Sequence, residues 1–310
     1  MKKVLFIINP TAGKERMKRY LMSVLDLFTK ADWDVTVHIT QAALDATNVA
    51  QKQGADFDMI VCSGGDGTLS ETISGMTRLY RLPVLGYIPA GTTNDFASSL
   101  RIPKVMRHAA ELVTQGKVFR CDLGSFNDKF FTYVAGFGAF TEVSYTTPQE
   151  WKNMLGKTAY FIEGLKHLAE IKPHHMRITY DEGVVEDDFV LGLVSNSVSV
   201  AGYKAYKKED IKMDDGLFEV LFIRDLKNAL ELQEVLNALL TKHLDATKMF
   251  RCSSRHLHIV CDDEVRWTLD GEDGGSWDEV DLFNHQQVLP IICGDEALED
   301  ISSQMVGEPE

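Results

Sequence analysis

No stretch of this 310-residue sequence is apolar for long enough to cross a bilayer, which takes about 20 residues, so the chain is not expected to be integral to a membrane. The run in MKKVLFIINP is short and ends in Asn9-Pro10, which reads as a buried first strand rather than a signal peptide. Cysteine is scarce: Cys62, Cys121, Cys252, Cys261 and Cys293 are odd in number and form no CxxC. That is a reduced, cytosolic pattern and not a disulfide framework. Basic residues are outnumbered, 32 Lys and Arg against 46 Asp and Glu, and the net charge of -14 excludes a general nucleic-acid binder. Neither common nucleotide fingerprint is present. Gly13-Lys14 is followed by Glu15, so there is no GxxxxGK[ST], and Ser70 stands where a GxGxxG would need its third glycine. Internal repeats and low-complexity linkers are absent too.

What is present is ordinary globular material, 45% hydrophobic and 25% charged, enough for two cores. Part of the acidity is local to a tail, where Asp295, Glu296, Glu299, Asp300, Glu308 and Glu310 occur without Lys or Arg. That tail reads as a short helix or a solvated end.

The first 120 residues alternate strand and helix. Val4–Ile8, Val35–Thr40, Met59–Cys62 and Val84–Ile88 read as strands. Met17, Tyr20, Leu21, Val24, Leu25 and Phe28 recur at helical spacing, with further helices over Asp45–Gln53 and Leu69–Met76. This order predicts a parallel sheet covered on both faces, with ligands outside the carboxyl ends of its strands. Asn9-Pro10, Thr40, Gly64–Thr68 and Pro89–Asp95 all follow such strands. From Arg120 short β-like runs take over, at 129–135, 175–180, 189–195, 217–223, 255–261, 265–269 and 279–283, with helical patterns near 155–170 and 226–240. The expected fold class is α/β: an N-terminal doubly wound nucleotide-binding domain and a mostly antiparallel β-sandwich C-terminal domain. The boundaries are set at 1–122, 123–292 and an acidic tail 293–310, with a cleft between the domains.

VCSGGDGTLSETI, at 61–73, carries the chemical question. Its glycines read either as a phosphate cradle, with Asp66 for a phosphate-bound Mg²⁺, or as a tight strand-to-helix turn capped by Thr68. Asn94-Asp95 reads as a site or as a helix cap, and Asp270-Gly271 as catalytic or as a hairpin turn. His256 and His258 share a strand face near Cys252 and Cys261, without zinc-ligand spacing. Gly136-Phe137-Gly138 reads as a close backbone approach or a bend. The patch Tyr203–Lys208 reads as a contact for anionic lipid or a solvated loop. The 155–170 helix reads as core packing rather than a lid.

Taken together, NPTAGK at 9–14, GGDGT at 64–68, PAGTTNDFA at 89–97 and DGE at 270–272 resemble the catalytic-domain family of diacylglycerol kinases, bacterial lipid kinases, and sphingosine and ceramide kinases. The resemblance runs from residue 3 to about residue 290. GGDGT alone also resembles the NAD kinases, but the order NPxxGK, PxGTxND, DGE favours the lipid kinases.

The resemblance implies ATP binding by Asn9, Gly13, Lys14, Thr40, Gly64, Gly65, Asp66, Gly67, Thr68, Leu69, Ser70, Glu71, Thr92, Asn94 and Asp95, with Asp66 and Asp95 also supporting Mg²⁺. It implies that Glu272 or Asp270 accepts the proton of a lipid hydroxyl while the other supports the metal network, both facing the substrate. It further implies a structural Mg²⁺ on Asp215 and the carbonyls of Lys212 and Leu217, an oxygen-only set. The expected reaction is ATP- and Mg²⁺-dependent phosphorylation of an amphiphilic lipid, with diacylglycerol the first candidate. The enzyme would be cytoplasmic and peripheral to the inner face of the membrane, with homodimerisation left open. Two alternatives stand beside it: a NAD kinase-like phosphotransferase, or a non-catalytic nucleotide-binding regulator. The regulator predicts a missing acid, yet Asp66, Asp95, Asp270 and Glu272 are all present.

Overall fold

A computed structural model describes residues 1–13, 15–92, 94–138, 171–196, 212–241 and 247–294. Lys14, the 155–170 helix, the 203–208 patch and the tail from 295 lie outside the described residues. The chain divides into two compact units. The first comprises Met1–Cys121 and the segment from Gln287, and the second Asp122–Gln286.

The first unit has a parallel sheet of β1 (Lys2–Ile8), β2 (Trp33–Ile39), β3 (Met59–Gly64), β4 (Val84–Pro89) and the end of the last strand, β13 (Glu272–Cys293). Pairing gives the order β2-β1-β3-β4-β13. The order reverses between β1 and β3, so right-handed crossovers send α1 (Arg16–Lys30) to one face and α2 (Asp45–Gln53) and α3 (Asp66–Met76) to the other. Residues Val4–Ile8 and Met59–Gly64 are buried throughout, as strands covered on both faces must be. Met17, Val24 and Phe28 form the buried stripe of α1, and Phe28 meets Phe6 at 6.1 Å between ring centroids. A helix does follow Asn94, α4 (Asp95–Ser99), and one helix went unforeseen, α5 (Met106–Gln115), packed on α1.

The second unit is antiparallel. Its described strands are most of β5 (Lys117–Phe126), then β6 (Lys129–Phe131), β7 (Val134–Gly138), β8 (His174–Tyr180), β9 (Gly183–Ser195), β10 (Phe218–Arg224), β11 (Met249–Ser254), β12 (His256–Leu269) and the first part of β13. One helix, α6 (Ala229–Thr241), falls where the 226–240 pattern predicted it. β9 and β12 are each shared, pairing with β8 along one half and β7 along the other. Inward residues close an aromatic core in which Phe137 lies 4.9 Å from Trp267 and 5.4 Å from Phe222, centroid to centroid.

Three expectations need correction. The run 129–135 is two strands, interrupted at Thr132-Tyr133, which turn aside to hydrogen-bond elsewhere. The runs 255–261 and 265–269 are one strand with a register shift between Val260 and Val265. The run 279–283 belongs to a 22-residue strand. Its end, from Gln287, groups with the first unit, where Ile291 pairs with Leu85. Alternation marks a strand but not which sheet it joins.

Candidate active site

The polar turns predicted to gather do so at the carboxyl ends of β1, β2, β3 and β4. Asn9 N–H donates to Ser63 O at 2.9 Å across the reversal point, and Thr40 N–H to Ile8 O at 2.9 Å. Asn9 also ties two loops together. Its Nδ2 donates to Thr68 Oγ1 at 2.9 Å, and its Oδ1 accepts from the N–H and hydroxyl of Thr11. Asn9, Thr40, Thr68 and Glu71 line one cavity of about 280 Å³ with Pro10, Thr11, Gln41, Ala42 and Ala43. Asp45 braces its rim: Gln41 N–H donates to its Oδ2 at 2.8 Å, and the His38 ring lies 3.2 Å away.

The glycine loop differs from either simple reading. α3 begins at Asp66, not Leu69, and its N-cap is Gly65, with no side-chain cap. Thr68 therefore lies inside the first turn and is no cap, and Leu69 points into the core with its N–H bonded to Gly65 O. The glycines serve contacts between loops. A Cβ on Gly91 would stand 2.6 Å from Gly65 Cα, and one on Gly13 only 1.8 Å from Ala90 O. Gly64 O accepts from Ala90 N–H at 2.8 Å and Gly91 N–H at 3.2 Å, which seals β3 to the PAGTT turn. Gly67 and Ser70 occupy the exposed-side turn of α3 and are half-buried.

Asp66 and Asp95 begin α3 and α4, where a helix start favours negative charge. Between them stands Tyr87, a residue that the sequence reading missed. Its hydroxyl lies 3.2 Å from Asn94 Oδ1 and 3.3 Å from Gly64 O. Burial holds its pKa well above the usual range, and the charges of Asp66 and Asp95 push the same way. Asn94 has left-handed backbone (φ 53°) and gives its Nδ2 to Gly91 O, so it shapes the turn and does not cap α4 by side chain. Thr92 is exposed.

In the second unit Asp270 and Glu272 part company. Asp270 is 4% exposed and its carboxylate is engaged by Thr132, Tyr133 and Val134, whereas Glu272 is exposed. Burial lifts the Asp270 pKa, against the pull of these donors. The 212–217 loop is braced by buried Asp122: its N–H donates to Met213 O at 2.7 Å, and its Oδ2 accepts from Gly216 N–H at 2.6 Å. Asp215 is half-buried, its pKa raised by burial, and its Oδ1 accepts from Leu217 N–H. A desolvated carboxylate, with Asp214 beside it and backbone carbonyls on the same loop, fits a hard cation. Among the described residues, no group of three or more His, Cys, Asp and Glu gathers as a ligand set. His256 and His258 pair with Asp281 and Glu279 of β13 on an exposed face.

A family model described as the diacylglycerol kinase catalytic domain matches residues 3–126, and one described as the YegS C-terminal NAD kinase beta sandwich-like domain matches 134–291. The diacylglycerol kinase of Bacillus subtilis (strain 168) is 33% identical over 293 residues, 93% of this chain and 96% of that protein. The chain belongs to the diacylglycerol kinase family. It is a lipid kinase, a phosphotransferase acting on an alcohol group. Another member, from Staphylococcus epidermidis RP62A, is 32% identical over 292 residues, covering 94% of this chain and 92% of its own. The fold agrees: a crystal structure of a diacylglycerol kinase from Bacillus anthracis matches with TM-score 0.81 at 27% identity, over 95% of this chain and 98% of that one. An NAD kinase from Archaeoglobus fulgidus, solved with ATP, matches with TM-score 0.51 over 99% and 100% of the two chains, and at 13% identity shows a common fold alone. Among the described residues, no helix is long and apolar enough to cross a membrane.

Proposed function

We propose that this lipid kinase transfers the γ-phosphoryl group of ATP to the hydroxyl of diacylglycerol, giving phosphatidic acid. The observation that carries the nucleotide half is the convergence of Asn9, Thr40, Thr68 and Glu71 on one cavity at the reversal point of a parallel sheet, the place where such sheets bind ligands. The acceptor is proposed from the printed names of relatives matched along nearly the whole chain.

Phosphoryl transfer leaves the protein little covalent work; it positions the two oxygens and offsets charge. Asn9, Gly13, Lys14, Thr40 and Thr92 with the stretch Gly64–Glu71 bind the nucleotide in this reading, and the start of α3 lends its positive end to the phosphates. Asn94 shapes the turn that presents Asp95. Mg²⁺, when bound, neutralises phosphate charge; Asp66 and Asp95 would hold it there, and Asp215 with the carbonyls of Lys212 and Leu217 would hold a structural one. An acid of the β12–β13 turn takes the proton from the lipid hydroxyl. The acyl chains keep the acceptor in a bilayer, so the enzyme works at a membrane surface. The cysteines, odd in number and without a CxxC, suit a cytoplasmic setting in this reading.

The test is label transfer from γ-labelled ATP with Mg²⁺ into mixed micelles of diacylglycerol, phosphatidylglycerol, ceramide or sphingosine, with NAD in a parallel tube. Label in diacylglycerol supports the reading. Label in another lipid corrects the acceptor, and label in NAD alone overturns it.

A further inference from the structure

The hairpin joining β12 to β13 is built around Asp270. Leu269 and Glu272 pair across it, leaving Asp270 and Gly271 as its two central residues. Both have positive φ, 52° and 85°, as a two-residue turn of type I′ demands, and Asp-Gly is a dipeptide that such turns favour. The hairpin reading of this dipeptide therefore holds, whatever else the acid does.

The Asp270 side chain leaves the turn and reaches the break between β6 and β7. Its Oδ2 accepts from the N–H and the hydroxyl of Thr132, each at 2.8 Å. Its Oδ1 accepts from Tyr133 N–H at 2.9 Å and Val134 N–H at 3.2 Å. Two further bonds bind the backbones: Asp270 N–H donates to Val134 O at 2.8 Å, and the Tyr133 hydroxyl donates to Asp270 O at 2.8 Å. The receiving segment is anchored in turn, because Tyr133 O accepts from Ser195 Oγ at 3.1 Å and Asn196 N–H at 3.0 Å.

A carboxylate offers about four lone-pair sites, and these four donors fill them. A proton arriving on either oxygen would displace one of them inside a buried site, where an unmade hydrogen bond is costly. A raised pKa alone would make Asp270 an attractive base, but geometry takes precedence over pKa in choosing one. Glu272 lies two residues on, at the start of β13, and is exposed.

We propose that Asp270 is a positioning residue, with Thr132 and Tyr133 as its receptors: the clasp fixes the hairpin backbone and hence the direction in which Glu272 leaves it, and Asp270 takes no proton from the acceptor. The inference rests on the lipid-kinase reading, with an acid of this turn as proton acceptor. It explains why β6 and β7 are separate strands. Thr132 and Tyr133 turn their N–H groups to the carboxylate instead of continuing a ladder.

Thr132→Val and Tyr133→Phe test it, because each deletes one hydroxyl donor while keeping side-chain volume and the buried carboxylate. Steady-state kinetics with labelled ATP and diacylglycerol micelles are measured across pH, beside Glu272→Gln. Both clasp variants should lower kcat roughly two- to tenfold, leave the KM for ATP in place, and leave the acid limb of the kcat profile where it is. Glu272→Gln should cost at least about a hundredfold. Losing the Thr132 donor raises the Asp270 pKa. An acid limb displaced to higher pH in Thr132→Val therefore makes Asp270 the acceptor and overturns the inference, as does a Glu272→Gln enzyme that keeps its kcat. Wild-type protein that labels no lipid defeats the lipid-kinase reading instead. The clasp is then read from amide hydrogen exchange at Tyr133 and Val134. Faster exchange in Thr132→Val than in wild type upholds it, and equal exchange overturns it.

Discussion

Tyr87 and Asn94 are joined side chain to side chain at the carboxyl end of β4, the tyrosine hydroxyl 3.2 Å from Asn94 Oδ1 in a buried setting. The same hydroxyl stands 3.3 Å from Gly64 O, so one phenol spans the GGDGT and PAGTTND loops. Its single proton is shared between Asn94 Oδ1 and Gly64 O; Asn94 is also held by its Nδ2 donating to Gly91 O, and Gly64 O also accepts from Ala90 N–H. Tyr87→Phe removes that tie and little else. The KM for ATP should rise roughly fivefold, the size of one modest hydrogen bond, with the KM for lipid unchanged. Equal ATP KM values would mean that Asn94 holds the turn unaided.

Gly13→Ala should destabilise the protein by about 2 kcal/mol or more, because the new Cβ meets Ala90 O at 1.8 Å and the backbone there is left-handed (φ 56°). Urea unfolding measures this. An unshifted midpoint would show that the NPTAG turn moves freely off Ala90.

If Asp66, which begins α3, holds the phosphate-bound metal as proposed, Asp66→Ala should reduce phosphoryl transfer by at least about a hundredfold. A wild-type rate removes Asp66 from the site.

Mg²⁺ should raise the melting temperature of wild type, and Asp215→Asn should abolish that rise while changing the ATP KM little. The carboxylate sits half-buried on a loop braced by Asp122, far in sequence from the nucleotide loops. Melting curves with and without Mg²⁺ decide it; an intact Mg²⁺ response with weakened ATP binding contradicts the structural-metal assignment.

Asp45 supplies a pH dependence. Gln41 N–H and then the His38 ring hold its carboxyl below the ordinary 3.8. A carboxyl depressed in the folded state contributes stability above its unfolded pKa and loses it as pH falls through the lower folded value. Wild type should therefore melt above Asp45→Asn at neutral pH, and the gap should close as pH falls below 3.8. Thermal melts along an acid series check the sign, and a gap that widens on acidification contradicts it.

Local signals in the sequence were enough for the first unit's frame. Val4–Ile8 reads as a doubly covered strand because five apolar residues in a row leave no wet face, and the α1 stripe repeats within the sequence itself. The polar turns at strand ends were legible for the same reason, since each turn's chemistry is written in adjacent residues. Tyr87 was not legible: within VLGYIP it reads as one more buried residue, and its hydroxyl acquires meaning only when Asn94 folds back over it. The β11 strand, the bulge in β12 and the length of β13 were likewise hidden, because pairing partners and not periodicity define them.

By itself, then, the sequence determined a parallel nucleotide-binding sheet followed by an antiparallel domain, and a set of loops that resembled the lipid kinases. Only the tertiary structure decided what the acids and glycines of those loops touch. Asp270 grips Thr132 across 138 residues of sequence, and the last strand leaves the second unit to pair beside β4. Glycine at 13 and 91 is required by the backbone of a neighbouring loop. The physical reason is common to all three. Helix and strand patterns come from interactions a few residues apart, whereas a buried carboxylate, a sheet edge or a close backbone approach is satisfied by whichever distant group the fold delivers.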